Sequence, residues 1–177
     1  RLYKSDLFSD LTIICGSNPS PVHQAVICPR SDYFAAALRF PGKEAEEGKI
    51  DLSVEDPEMV ERMIYYFYHL DYLPTSYNRR PNQGVLEIHA QMYAMADKYQ
   101  ISEMKDLAKA KFEAAMRFHG GYKLLPHVVP IVFTTTPDSD AQLRNLVARA
   151  IALDNLLRLK SFRGAVEKID GLSLAVL

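Results

Sequence analysis

The sequence contains no tryptophan and only two cysteines, Cys15 and Cys28, among 177 residues. Two thiols cannot form a disulfide framework, and no Asn-x-Ser/Thr acceptor with x other than proline occurs, so a reducing, intracellular setting, nucleus or cytoplasm, is expected. An excess of either charge is also missing. With 21 Lys+Arg against 22 Asp+Glu the formal charge is −1, which leaves no field to gather phosphates and disfavours nucleic-acid or membrane binding. Long hydrophobic runs are absent too. The longest, residues 124–133, is about half the length a spanning helix needs and holds Pro126 and Pro130. There is no basic-plus-apolar leader, internal repeat or low-complexity run, and the start at Arg1 suggests a segment cut from a longer chain. What remains, 48% hydrophobic against 24% charged residues, is the composition of a globular domain.

Periodicity organises the chain. Leu11-Thr12-Ile13-Ile14-Cys15 reads as a strand, the turn formers from Gly16 to Pro21 as a hairpin-like turn, and Val22-His23-Gln24 as a short return strand. Ala25 to Cys28 is apolar enough to be buried. Ser31 is placed to cap a helix over 32–38 with Phe34 and Leu38 on one face, stopped by Pro41-Gly42. A charged loop, 43–49, precedes a half-buried strand at Ile50-Asp51-Leu52. Asp56-Pro57 then opens a helix whose Met59, Met63, Phe67 and Leu70 form a core stripe. Residues 71–84, with Pro74, Ser76, Asn78, Pro81, Asn82 and Gly84, read as a long exposed loop. Helices over about 85–99 and 102–117 follow, ended by Gly120-Gly121. From Tyr122 to Leu177 three or four short helices are expected, the clearest starting at Asp138-Ser139-Asp140.

Catalytic and metal-binding patterns fail on inspection. Gly42 to Gly48-Lys49 has five residues between its glycines, lacks the hydroxyl residue that would hold Mg²⁺, and carries three glutamates that would repel phosphate. Cys15, His23 and Cys28 contain no Cys-x-x-Cys pair, so buried structural thiols are preferred to a zinc site. No signature pairs either cysteine with His23, His69, His89, His119 or His127. Glu44, Glu46 and Glu47 have no apolar wall to raise a pKa and read as a solvated segment. The tyrosines at 65, 66, 68, 72 and 77 have two readings: a protein-contact surface, or completion of the core.

Ser9-Asp10-Leu11-Thr12-Ile13, His23 with the apolar tetrad after it, and Arg30-Ser31-Asp32-Tyr33-Phe34 resemble the opening of a BTB/POZ domain. Ile50-Asp51-Leu52 to Pro57-Glu58-Met59, Ile64 to Tyr68, and Tyr93-Ala94-Met95-Ala96-Asp97-Lys98-Tyr99-Gln100-Ile101 continue the likeness, which spans residues 6 to about 117. The 71–84 loop and the tail from Tyr122 look most like BTB proteins of filamentous fungi. The resemblance implies an α+β, predominantly helical fold, a small three-stranded sheet flanked by helical hairpins over 1–119, with a helical extension packed on it at 120–177. It also implies a noncatalytic, cofactor-free protein-binding module: a substrate adaptor for a cullin-type ubiquitin ligase, or alternatively a homodimerising self-association module of a transcription regulator or other scaffold.

Asp10, His23, Ser31 and Phe34 fall on positions typical of that family. Asp10 is expected as a turn or cap acceptor and His23 as a buried, hydrogen-bonded side chain. Three features depart from the family's pattern. Only nine residues precede Asp10, fewer than in members that exchange N-terminal strands, and Gln24 stands where corepressor-binding members carry a cation. Ala45-Glu46-Glu47 matches a stretch in which cullin-binding members often place a bulky hydrophobe, so alanine weakens that contact by about 1–2 kcal/mol. The partner face is expected on the 31–49 helix-loop and the helices near 57–72 and 85–99. Phe40, Tyr68, Leu70 and Tyr72 are its candidate anchors, and Ala45, Glu46 and Glu47 its loop contacts.

Overall fold

A computed structural model describes residues 2–73, 84–118, 125–137 and 139–153. Strand β1 (Leu11–Cys15) is the centre of a three-stranded sheet, paired antiparallel with β2 (Asn18–Val22) and parallel with β3 (Lys49–Asp51). Gly16, at φ +65°, takes the first place of the two-residue β1–β2 turn, where a left-handed backbone is needed. A parallel pair cannot be joined by a hairpin. The β2–β3 crossover therefore runs through α1 (Gln24–Ile27), a short 3-10 turn at Cys28–Arg30, α2 (Asp32–Arg39) and α3 (Lys43–Glu47).

Three sequence expectations change in this region. The return strand is Asn18–Val22, not Val22–Gln24, and it runs through Pro19 and Pro21. Because β2 is an edge strand with one partner, two prolines two residues apart can both turn their missing donors outward. Of the run Ala25 to Cys28, only Ile27 is fully buried, and both cysteines are half-buried. The charged 43–49 segment forms α3, a single turn of straight-chain helix formers closed by Gly48 at φ +61°. Its glutamates remain exposed, as expected.

The cap readings hold. Ser31 Oγ accepts the Phe34 N–H at 3.2 Å and donates to the Tyr99 carbonyl at 2.6 Å. Asp56 Oδ1 accepts from the N–H groups of Glu58 (2.8 Å) and Met59 (3.3 Å) at the start of α4 (Pro57–His69). Met59, Met63 and Phe67 face the core, but Leu70 does not. It ends α4 in a left-handed conformation, φ +56°, which swings it off the helical stripe and leaves it 57% exposed. Helix α5 covers Val85–Lys98 and α6 covers Ser102–Phe118. The breaks expected at Gly120-Gly121, Ser161 and Gly171, and residues 74–83, lie outside the described residues.

The chain divides into two units, Arg1–Ser76 with Met95–Leu107, and Tyr77–Ala94 with Ala108–Leu177. The first has a core of Leu11, Ile13, Ile27, Phe34, Ile50, Met63, Phe67 and Tyr99. Phe34 is its keystone, stacked on Tyr99 at 5.7 Å and edge-on to Phe67 at 5.8 Å. Arg62, although charged, is buried because Glu58 and the Leu73 carbonyl satisfy its guanidinium, which ties the chain beyond α4 back onto that helix.

The second unit holds α7 (Leu125–Thr135) and α8 (Ala141–Leu153). Val128, Val132, Leu143, Val147 and Ile151 are buried there. Arg144 donates to Thr136 Oγ1 (3.1 Å) and the Phe133 carbonyl (3.0 Å), satisfying the last turn of α7. The buried Tyr93 hydroxyl lies 2.9 and 2.8 Å from the two oxygens of Asp140, and Asp140 in turn accepts the Gln142 N–H at the start of α8.

Removing one hydroxyl tests the role of Ser31. Ser31→Ala strips two buried backbone groups of their partner and is expected to lower stability by about 2 kcal/mol. The measurement is the urea midpoint at unchanged slope, and a loss below about 0.5 kcal/mol refutes the bridging role.

Candidate functional site

Among the exposed apolar side chains of unit 1, which include Phe8 and Val54, two owe their exposure to how its helices end. Phe40 follows α2 and precedes Pro41, which drives it to an extended backbone (φ −90°, ψ 144°) and leaves the ring 65% exposed. Leu70 is turned outward by the left-handed end of α4. It borders a cleft of about 570 Å³ with Pro29, Arg30, Tyr66, Glu103 and Leu107. Phe40 does not line that cleft. The Tyr66 hydroxyl beside it is pushed up by burial and then by Glu103, with Arg30 acting against both. The cleft thus offers two leucines flanked by one cation and one carboxylate, which suits an apolar anchor with polar neighbours and no covalent chemistry.

The other candidate contacts separate into surface and interior. Glu46 and Glu47 are exposed on α3, and Ala45, just before them, is half-buried. Tyr72 is fully buried, which corrects its place among the anchors. Burial and the neighbouring Asp71 push its hydroxyl well above the usual tyrosine range. Tyr68 is half-buried, and its hydroxyl serves the fold.

That hydroxyl accepts the His23 backbone N–H at 3.1 Å and sits 2.7 Å from His23 Nδ1, while His23 Nε2 lies 2.9 Å from the Leu7 carbonyl. A carbonyl can only accept, so Nε2 carries the proton and Nδ1 accepts from Tyr68. His23, 5% exposed, thereby joins the N-terminal segment to α4. Asp10 Oδ1 accepts the Gln24 N–H at 2.8 Å, and Gln24 Nε2 donates to the Asp10 carbonyl at 2.9 Å. Both family-typical positions spend their hydrogen bonds inside the molecule. Ser31 and Phe34 do the same, as cap and keystone.

Both cysteine thiols are pushed up, chiefly by burial. Asp56, Glu55 and Asp51 act in the same direction on Cys15, and Asp10 on Cys28. A thiolate is disfavoured at either position, the opposite of what a nucleophile requires. Pro29, Arg30, Glu103 and Leu107 were not expected as contact residues from the sequence. Nothing local marks them, because the cleft exists only once the start of α6 lies beside the end of α4.

No described helix is long and apolar enough to cross a membrane. The family model for the BTB/POZ domain matches residues 1–115 of the 177.

Stability separates the two kinds of aromatic. Tyr68→Phe leaves a buried N–H and a ring nitrogen unpaired and is expected to cost about 1–3 kcal/mol. Phe40→Ala is expected to stay within about 0.5 kcal/mol of the parent, since nothing packs over most of that ring. Thermal unfolding of the two variants checks both, and the reverse order would exchange their roles.

Proposed function

Because the chain belongs to the BTB/POZ domain family, we propose that it acts as a noncatalytic adaptor joining a protein partner to a cullin-type scaffold in the nucleus or cytoplasm. The observation that carries this reading is the family match over residues 1–115, since a BTB/POZ domain is a protein–protein interaction module. We assign that module to residues 1–119 and the helical extension to 120–177. Leu70 and its cleft provide one anchor point and Phe40 another, with Ala45, Glu46 and Glu47 beside Phe40. Alanine at position 45 makes the cullin contact depend more on Leu70 than on α3. The second reading is a self-association module with no ligase role.

Titration with a cullin N-terminal domain, followed by calorimetry, tests the adaptor reading. Binding is expected in the micromolar range, and Leu70→Asp should weaken it at least tenfold while the melting temperature stays unchanged. No heat at tens of micromolar, with the domain shown to be folded, would sink the cullin assignment.

A further inference from the structure

In unit 1 a cavity of about 550 Å³ opens between the β1–β2 hairpin and α4. Ile13 from the sheet and Val60 and Ile64 from the helix are buried and form its apolar floor. The N-terminal segment adds Tyr3, whose ring lies 5.6 Å from that of Tyr68 and edge-on to Tyr65 and His69 at 5.3 and 4.9 Å. Two charged side chains stand in the lining, Lys4 and Glu61. A volume of this size with apolar walls and few polar groups is that of a small-ligand site. Neither Phe40 nor Leu70 takes part in it.

The chain itself shows what this lining attracts. Lys4 Nζ lies 2.8 Å from a Glu61 carboxylate oxygen and 5.6 Å from the centre of the Tyr3 ring, an ammonium shared by a carboxylate and an aromatic ring. The two side chains of that ion pair are 65% and 61% exposed, so the pair is weak and opens readily. The charges that act on Cys15, elsewhere in the lining, are the carboxylates of Asp56, Glu55 and Asp51, of which Glu55 pairs with Lys98 and Asp51 feels Lys43. Once Lys4 leaves, these acids and Glu61 are in excess. An extended peptide is poorly served by the other wall, because Pro19 and Pro21 on the edge strand have no N–H to pair with it.

We propose that this cavity binds a small organic cation, a primary ammonium carried on an aryl or alkyl body, in place of Lys4. The ammonium takes the Glu61 carboxylate and the Tyr3 ring, and the apolar body lies over Ile13, Val60 and Ile64. Lys4 is then a tethered competitor, which lowers the apparent affinity according to the fraction of molecules in which it holds the seat. The inference is independent of the cullin reading, which uses Phe40 and Leu70.

Two probes of one skeleton test this, 2-phenylethylammonium and the neutral 2-phenylethanol, titrated into the isotopically labelled chain and followed by its amide shifts. The ammonium is expected to bind about fivefold more tightly than the alcohol. Glu61→Gln should bring the two to parity, and Tyr3→Leu should weaken the ammonium more than the alcohol. Lys4→Ala should raise the ammonium affinity about threefold, a gain that a merely structural lysine would not produce. Because Lys4 and Glu61 are exposed, neither of their variants should move the melting temperature. Equal binding of the two probes by the parent, a Lys4→Ala variant that binds no better, or no shift at the cavity residues at about 10 mM ammonium overturns the proposal. An alanine-flanked lysine peptide should bind no tighter than the free ammonium, and tighter binding overturns the choice of a small ligand.

Discussion

The hydroxyl of Ser31 holds unit 1 in register. It receives the Phe34 N–H at the start of α2 and donates to the Tyr99 carbonyl just past α5, fixing the direction in which α2 leaves the core. Phe34 then has only one place to go, between Tyr99 and Phe67. Tyr99 extends the connection, because its own hydroxyl donates to Glu55 at 2.9 Å, immediately before the Asp56 cap of α4. Burial and the Glu55 carboxylate both hold that hydroxyl protonated. Two helix starts are thus registered through one tyrosine. Where the helices end is decided locally, by Pro41 after α2 and the left-handed turn at Leu70, and their ends are where Phe40 and Leu70 come to the surface.

The parts of the fold legible in the sequence were those set by local chemistry. A serine before an aromatic helix face and an Asp-Pro before a methionine stripe specify their caps with no information from elsewhere in the chain. Strand β1 was legible for the same reason, as a β-branched run closed by a glycine turn. Misreadings arose where a distant partner decides. Pro19 and Pro21 look like turn residues until β2 is known to be an edge strand. Leu70 fits a helical stripe until the helix is seen to end one residue too soon, and Tyr72 looks like a surface anchor until the chain folds back onto Arg62. The Leu70 cleft combines the 28–30 turn, α4 and α6, and no single window of sequence contains it.

The polar residues that carry the family likeness lie mostly inside this economy of hydrogen bonds. His23 has both ring nitrogens engaged, and Asp10 has its side chain and its carbonyl engaged with Gln24. Substituting His23 changes folding before it changes recognition, since each buried partner left alone costs more than an exposed bond contributes. Recognition is left to side chains the fold does not use.

Those side chains are of two kinds, and their magnitudes differ. Burying an exposed phenylalanine or leucine against a partner is worth about 1.5–3 kcal/mol, whereas an exposed ion pair contributes about 0–1 kcal/mol and less in salt. In the contact surface proposed above, affinity would therefore come from Phe40 and Leu70, and selectivity from the charged side chains beside them, Glu44, Glu46 and Glu47 on α3 and Arg30 and Glu103 at the cleft. Both side chains sit at helix termini for a backbone reason. A large apolar group in the middle of an amphipathic helix would be drawn onto the core face, but Pro41 and the left-handed turn at Leu70 break the helical period just where outward projection is required. Exposure of these residues is a product of the backbone. It persists for as long as Pro41 and the left-handed turn at Leu70 end the two helices there.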